Sequence, residues 1–231
     1  MKFNRSAMVA ITTVTAALAT PATAATFVLD FGPSACVTAC ANEDFFSQTY
    51  GDQSNVDVSH RVLSAPGNPG VAAPLTAGLQ YWANEYGNLS GVAWGGLSAT
   101  QGVGEITFRM TGIGSIALNS LQYAGFRGNA TTGFRVYDLA YNLLFSSGSV
   151  VAPGQGSATL NFPNLANNSG LILQFGADAY NGGIDNLTFT TGNAVSAIPE
   201  AATWGMMILG FGIVGVAARR RRTAAITTAI A

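Results

Sequence analysis

Short stretches in which apolar and polar residues alternate recur between residues 26 and 189, separated by glycine, asparagine, serine and proline. The clearest is Val56-Asp57-Val58-Ser59-His60-Arg61-Val62. Its valines fall on one face of an extended chain, and Asp57, Ser59 and Arg61 on the other. Period and β-branched or aromatic enrichment together predict strands over 26–31, 90–94, 104–110, 116–124, 134–138, 142–147, 158–162, 171–175 and 184–189. Ala65-Pro66-Gly67-Asn68-Pro69-Gly70 reads as a loop, because proline and glycine set turn geometry. No amphipathic helical stretch of useful length intervenes. The expected fold is therefore all-β, an antiparallel β-sandwich over residues 25–197, rather than α/β.

Both ends break the pattern. Lys2 and Arg5 make the start positive, Ser6–Leu18 is uncharged, and Ala22 and Ala24 supply a small-residue cleavage site. That is the form of an export signal peptide, residues 1–24. Near the other end, Ala201–Ala218 is a run of eighteen uncharged residues. As a helix it reaches about 27 Å, enough to cross the hydrocarbon core of a bilayer. Trp204 sits where an amphipathic ring meets the headgroups, and Arg219, Arg220, Arg221 and Arg222 hold the far end on the cytoplasmic side. Residues 223–231 form a short tail.

Composition sharpens this picture. Charged residues make up 9% of the chain, against about 25% in an average soluble domain. The 28 glycines follow no three-residue period, which excludes collagen. Between the two ends lie four arginines and ten acids, a net of −6. A body so charged lacks the basic surface that holds a phosphate backbone, which argues against nucleic acid as a partner.

Candidate chemistry is sparse. Cys36 and Cys40 are the only cysteines. Export places them in an oxidising compartment, so they read as a local disulfide. A zinc site needs more ligands than this pair, and the lone His60 lies twenty residues on. His60 is also the only base for a Ser/His/Asp arrangement, and no serine sits in a Gly-x-Ser-x-Gly elbow. A glycosidase pair would draw on Glu43, Asp44, Glu85 and Glu105, whose separation the sequence does not set. Aromatic rings stack on the apolar faces of sugars, which makes Trp82, Tyr86 and Tyr180 candidate glycan contacts. Packing in a core is the competing use of Trp82 and Trp94.

Ile198-Pro199-Glu200-Ala201-Ala202-Thr203-Trp204-Gly205-Met206-Met207, the apolar run after it and the arginines resemble a PEP-CTERM sorting signal. Ala201 stands where the second proline of that motif belongs. The resemblance implies export through the Sec translocon and a transmembrane helix held in the inner membrane. An exosortase would then cut near Pro199 and Glu200. The product would reach the outer surface or extracellular matrix of a Gram-negative, exopolysaccharide-making bacterium. A weaker resemblance runs through Gly104–Phe108, Ile116–Leu121, Arg135–Asp138 and Gly183–Phe189, to a jelly-roll-like module of exported PEP-CTERM proteins that is similar to carbohydrate-binding folds. With the sorting signal and the sparse chemistry, the expected role is a non-enzymatic surface or matrix protein, with a lectin-like polysaccharide-binding module as the alternative and an extracellular hydrolase third. No cofactor is expected beyond a structural calcium, for which Asp30 and Asp185 on the terminal strands are the candidate ligands.

Overall fold

The structure is a computed structural model of the chain and describes residues 24–36, 38–68, 74–76, 78–95, 102–192 and 211. The expected signal peptide, transmembrane helix and tail fall outside these residues, Ala24 and Phe211 apart.

The described residues form β1 (Ala25–Leu29), β2 (Val56–Leu63), β3 (Pro74–Thr76), β4 (Gln80–Trp82), β5 (Val92–Trp94), β6 (Val103–Met110), β7 (Ser115–Gly125), β8 (Ala130–Asp138), β9 (Leu143–Ala152), β10 (Ala158–Asn167), β11 (Gly170–Phe175) and β12 (Gly182–Gly192). They build two antiparallel six-stranded sheets. The first runs β10-β7-β12-β5-β4, with β1 also paired to β12, and the second β3-β2-β6-β11-β8-β9.

The core follows from the alternation. Val56, Val58 and Val62 of β2, Ile106 and Phe108 of β6, and Leu171, Leu173 and Phe175 of β11 face inward from the second sheet. They meet Ile116, Leu118 and Leu121 of β7 and Ile184, Leu187 and Phe189 of β12. Phe108 and Phe189 join the sheets with ring centroids 5.1 Å apart, and Tyr123 and Phe134 do so at 5.0 Å. Truncating one such ring to alanine removes ~3–5 kcal/mol.

Several strands exceed or escape the sequence reading. β8 begins at Ala130, β9 continues to Ala152 and β10 to Asn167. β10 carries Pro163 within a register shift between Asn161 and Leu165. It lies at a sheet edge, where a missing amide proton breaks no ladder. β3 and β4 are three residues each, too short to show a period.

β12 departs from strict alternation where it matters most. Ile184 and Leu187 both lie in the core although three positions apart. The register on β7 shifts between Asp185 and Thr188, and Asn186 has φ 49°. This bulge inserts residues opposite β7 and buries Asp185 beside the start of the β1–β2 connection.

Candidate functional site

Two places outside the main core gather unusual chemistry, one on the outer face of each sheet. On the first sheet, Tyr81 and Ala93 point into the core, so their neighbours Trp82, Val92 and Trp94 point out. These join Tyr86, Leu89 and Ala124 in a second apolar cluster, with Phe126 and Tyr180 packed on it. Trp82 stands edge-on to Trp94 at 5.4 Å and to Phe126 at 5.5 Å, and Trp94 edge-on to Tyr180 at 5.2 Å. The Tyr86 hydroxyl donates to the Tyr180 carbonyl at 2.6 Å, and burial pushes this phenol's pKa up. Gly183 admits the Tyr86 ring, because a Cβ there would stand 2.7 Å from it. At the rim, Arg127 lies over Phe126 and forms an ion pair with Glu85 at 2.8 Å.

The structure thus brings together the three residues read as glycan contacts. Trp82 and Tyr180 remain half-buried, whereas Tyr86 is 2% exposed. The space enclosed among the rings is about 10 Å³, room for one water, so any ligand must lie across the cluster rather than within it. Trp94 is core-like, its indole N–H donating to the Tyr81 carbonyl at 3.2 Å.

On the second sheet, cross-strand register lines up Arg61, Glu105, Gln174, Arg135 and Ser146 from β2 to β9. Glu105 is fully buried and bound to Arg61 at 2.6 Å. It also accepts from the Tyr141 hydroxyl at 3.1 Å and from Gln174 Nε2 at 2.7 Å. Burial, and then the Glu105 charge, pushes the Tyr141 phenol up to about 12. Gln174 clamps the β2–β3 loop, accepting from Gly67 N and donating to Gly67 O, both at 2.8 Å. Arg135, next to last in the row, has Nη1 buried and unpartnered among the described residues. Sequence reasoning missed the row. Period-two alternation could have put each member on an outward face, but their alignment is a property of register.

The remaining candidates have structural partners. Asp185 Oδ1 accepts from Phe31 N at 3.1 Å and Asn186 N at 2.7 Å, and Oδ2 from Asn186 Nδ2 at 3.0 Å. Burial raises its carboxyl to about 6, with the Asp30 charge adding to the rise. Asp30 lies one residue past β1, and its carbonyl accepts from the Tyr50 hydroxyl. The two candidate calcium ligands are therefore neighbours. The donors that converge on Asp185 are N–H groups, and among the described residues no group of three or more His, Cys, Asp or Glu is placed to hold a metal. Calcium takes about six to eight oxygens, so this donor set does not fit it.

Cys36 and Cys40 are joined in a disulfide, their Cα atoms 5.3 Å apart. His60 is 4% exposed; Nδ1 accepts from Leu79 N at 3.1 Å, which leaves Nε2–H to donate to the Ser47 carbonyl at 2.9 Å. Burial holds its pKa below the ordinary value. Of the carboxylates weighed for hydrolysis, Glu85 is paired with Arg127, Glu105 lies in the buried network, and Asp44 accepts from Ala41 N at 2.7 Å.

The described body is an antiparallel β-sandwich. Residues 197–222 match the PEP-CTERM protein-sorting motif, so Pro199, Glu200, Trp204 and Arg219–Arg222 lie within a sorting signal, and the chain is exported and sorted by it. No curated protein matches the chain. Among solved structures, it is similar to a family 11 carbohydrate-binding module from Clostridium thermocellum in complex with a β-1,3-1,4-mixed-linked tetrasaccharide. That likeness has 10% identity and a TM-score of 0.22, covering 67% of this chain and 94% of that one. The family 11 module of a cellulosomal cellulase from the same organism is similar at 10% identity and TM-score 0.22, covering 67% and 93%. At that TM-score neither likeness bears on what this chain binds.

Proposed function

We propose that the chain is a non-enzymatic protein of the cell surface or exopolysaccharide matrix, released from an inner-membrane intermediate when an exosortase cuts near Pro199-Glu200. The observation that carries this reading is the sorting motif over residues 197–222. The body supports it. His60 and Glu105 are committed to structural hydrogen bonds, as are Asp44 and Asp185, which leaves these groups poorly placed for acid–base work. Intact-mass analysis of the exported protein tests the reading. A product ending near Glu200 is expected; one that still carries Trp204–Ala231 would overturn processing and leave a permanent anchor.

A lectin-like role is the second reading, favoured by the gathering of Trp82, Tyr86 and Tyr180 with Phe126 on an outer face. Half-buried rings on a sheet surface offer stacking area to the apolar face of a sugar. A glycan array with the purified protein tests it. Binding lost in Trp82→Ala and retained in Trp94→Phe supports a platform, and no binding to any glycan removes it.

A further inference from the structure

The end of the polar row on the second sheet opens into a cavity of about 230 Å³. Thr131, Gly133 and Arg135 of β8 line it, with Gly148 and Ser149 of β9 and Gly176 after β11. A bulge creates it. Gly133 pairs with Ser149 and Arg135 with Ser146, so β9 carries one residue more than β8 across this step. Gly148 takes the extra position at φ 67°. Gly133 can carry no side chain to fill the gap, because a Cβ there would stand 2.7 Å from the Gly148 carbonyl.

The lining is unsatisfied. Among the described residues, Arg135 Nη1 is buried without a hydrogen-bond partner. Buried donors of this kind are rare without an occupant. Charge points the same way. The row holds two guanidiniums, Arg61 and Arg135, against the single carboxylate of Glu105, which Arg61 already binds. The cavity lacks an anion for Arg135. Beyond the arginine stem, its walls present hydroxyls, backbone and no apolar group larger than a methyl, which suits a hydroxyl-rich ligand better than an apolar peptide side chain. At 230 Å³ it lies below the ~300–1,000 Å³ of pockets for drug-sized molecules, so it takes one small unit.

We propose that this cavity binds a carboxylate-bearing sugar unit, a hexuronate of an acidic polysaccharide, with Arg135 pairing the carboxylate and the Thr131 and Ser149 hydroxyls bonding the ring oxygens. The site is on the opposite sheet from the aromatic cluster and needs neither that cluster nor cleavage of the tail.

Calorimetry tests it on the full-length protein in an uncharged detergent. The titrants are a galacturonate trimer, a neutral galactose trimer, inorganic sulfate and an acidic tripeptide. The uronate is expected to bind at least about tenfold more tightly than the other three and to weaken as salt rises. Arg135→Gln is expected to weaken it at least about tenfold, in keeping with loss of a charge-assisted pair. Gly148→Asp keeps a left-handed backbone that aspartate tolerates, in a place where a Cβ meets nothing, and supplies a competing carboxylate at the cavity wall. It should abolish binding while the protein stays folded, at a small cost in melting temperature from the left-handed backbone, and it decides the matter if Arg135→Gln fails to fold. Trp82→Ala should leave uronate affinity as it is. Absence of uronate binding, or affinity unchanged in both cavity variants, overturns the proposal. Sulfate or the acidic peptide binding as well as the uronate overturns it too, by showing a site that reads charge alone. Normal tail processing alongside any of these failures shows that the proposed function stands without this site.

Discussion

Replacing Asp185 by asparagine removes a buried carboxyl while keeping a side-chain oxygen for the Phe31 and Asn186 amides. In the folded protein this carboxyl titrates at about 6 rather than 3.8, chiefly because it is buried. The folded state therefore holds its proton more tightly than the unfolded chain does. Between those two values stability falls as pH rises, and above about 6 the ionised group persists at a constant cost. At full strength the difference corresponds to ~3 kcal/mol, and solvent screening together with local relaxation around the carboxyl reduces it to ~1–2 kcal/mol. Asp185→Asn lacks the slope. It adds a penalty of ~1 kcal/mol where its amide meets Asn186 Nδ2, but that penalty does not vary with pH. Thermal melts of both proteins from pH 4 to 7 should show the variant gaining on the wild type by ~3–6 °C across the range. Parallel profiles, or a gap that moves the other way, would refute the assignment of this buried charge.

Three further outcomes follow from the same geometry. Glu105→Gln leaves the Arg61 guanidinium without its buried partner and should cost ~3 kcal/mol in urea unfolding, with faster amide exchange at Gly67; a loss under ~1 kcal/mol would show that the network does not brace the loop. Reducing Cys36–Cys40 releases a five-residue loop, worth ~2 kcal/mol of chain entropy, and should lower the melting temperature by ~4–8 °C; an unchanged melt would show that the turn holds without its bond. Tyr86→Phe removes the hydroxyl from the Tyr180 carbonyl and should cost ~1–2 kcal/mol by thermal or urea unfolding, with a neutral result indicating that water replaces the contact.

Much of the fold is legible wherever a strand is long enough to show its period. β2 and β6 each span eight residues, and the alternation marks both within a residue of their ends. β4 fails the same test at three residues, although it carries Trp82. The cluster of Trp82, Tyr86 and Tyr180 was visible as residue types. That they meet depends on Tyr180 folding over from the β11–β12 connection, 94 positions from Tyr86. The row from Arg61 to Ser146 was invisible for a sharper reason. Its members come from five strands, and a one-residue slip of any strand would turn its member to the other face. The bulge at Asp185 likewise has no signature of its own, since neither aspartate nor asparagine marks where a strand takes extra residues.

The last strand of the body is an interior strand of its sheet: β12 pairs with β7 on one side and with β1 and β5 on the other. A chain threaded through a membrane from its N-terminus would therefore arrive with β1 and β5 waiting for a neighbour not yet delivered. Contacts so distant in sequence form late and slowly. Only four residues separate the end of β12 at Gly192 from the sorting motif, which begins at 197. Closure of the sandwich and appearance of the motif outside the membrane are thus nearly one event. An immature chain would hold its first strands open to chaperones for most of its passage. A protease acting on the motif, as proposed above, would meet a body that has only just received its last described strand.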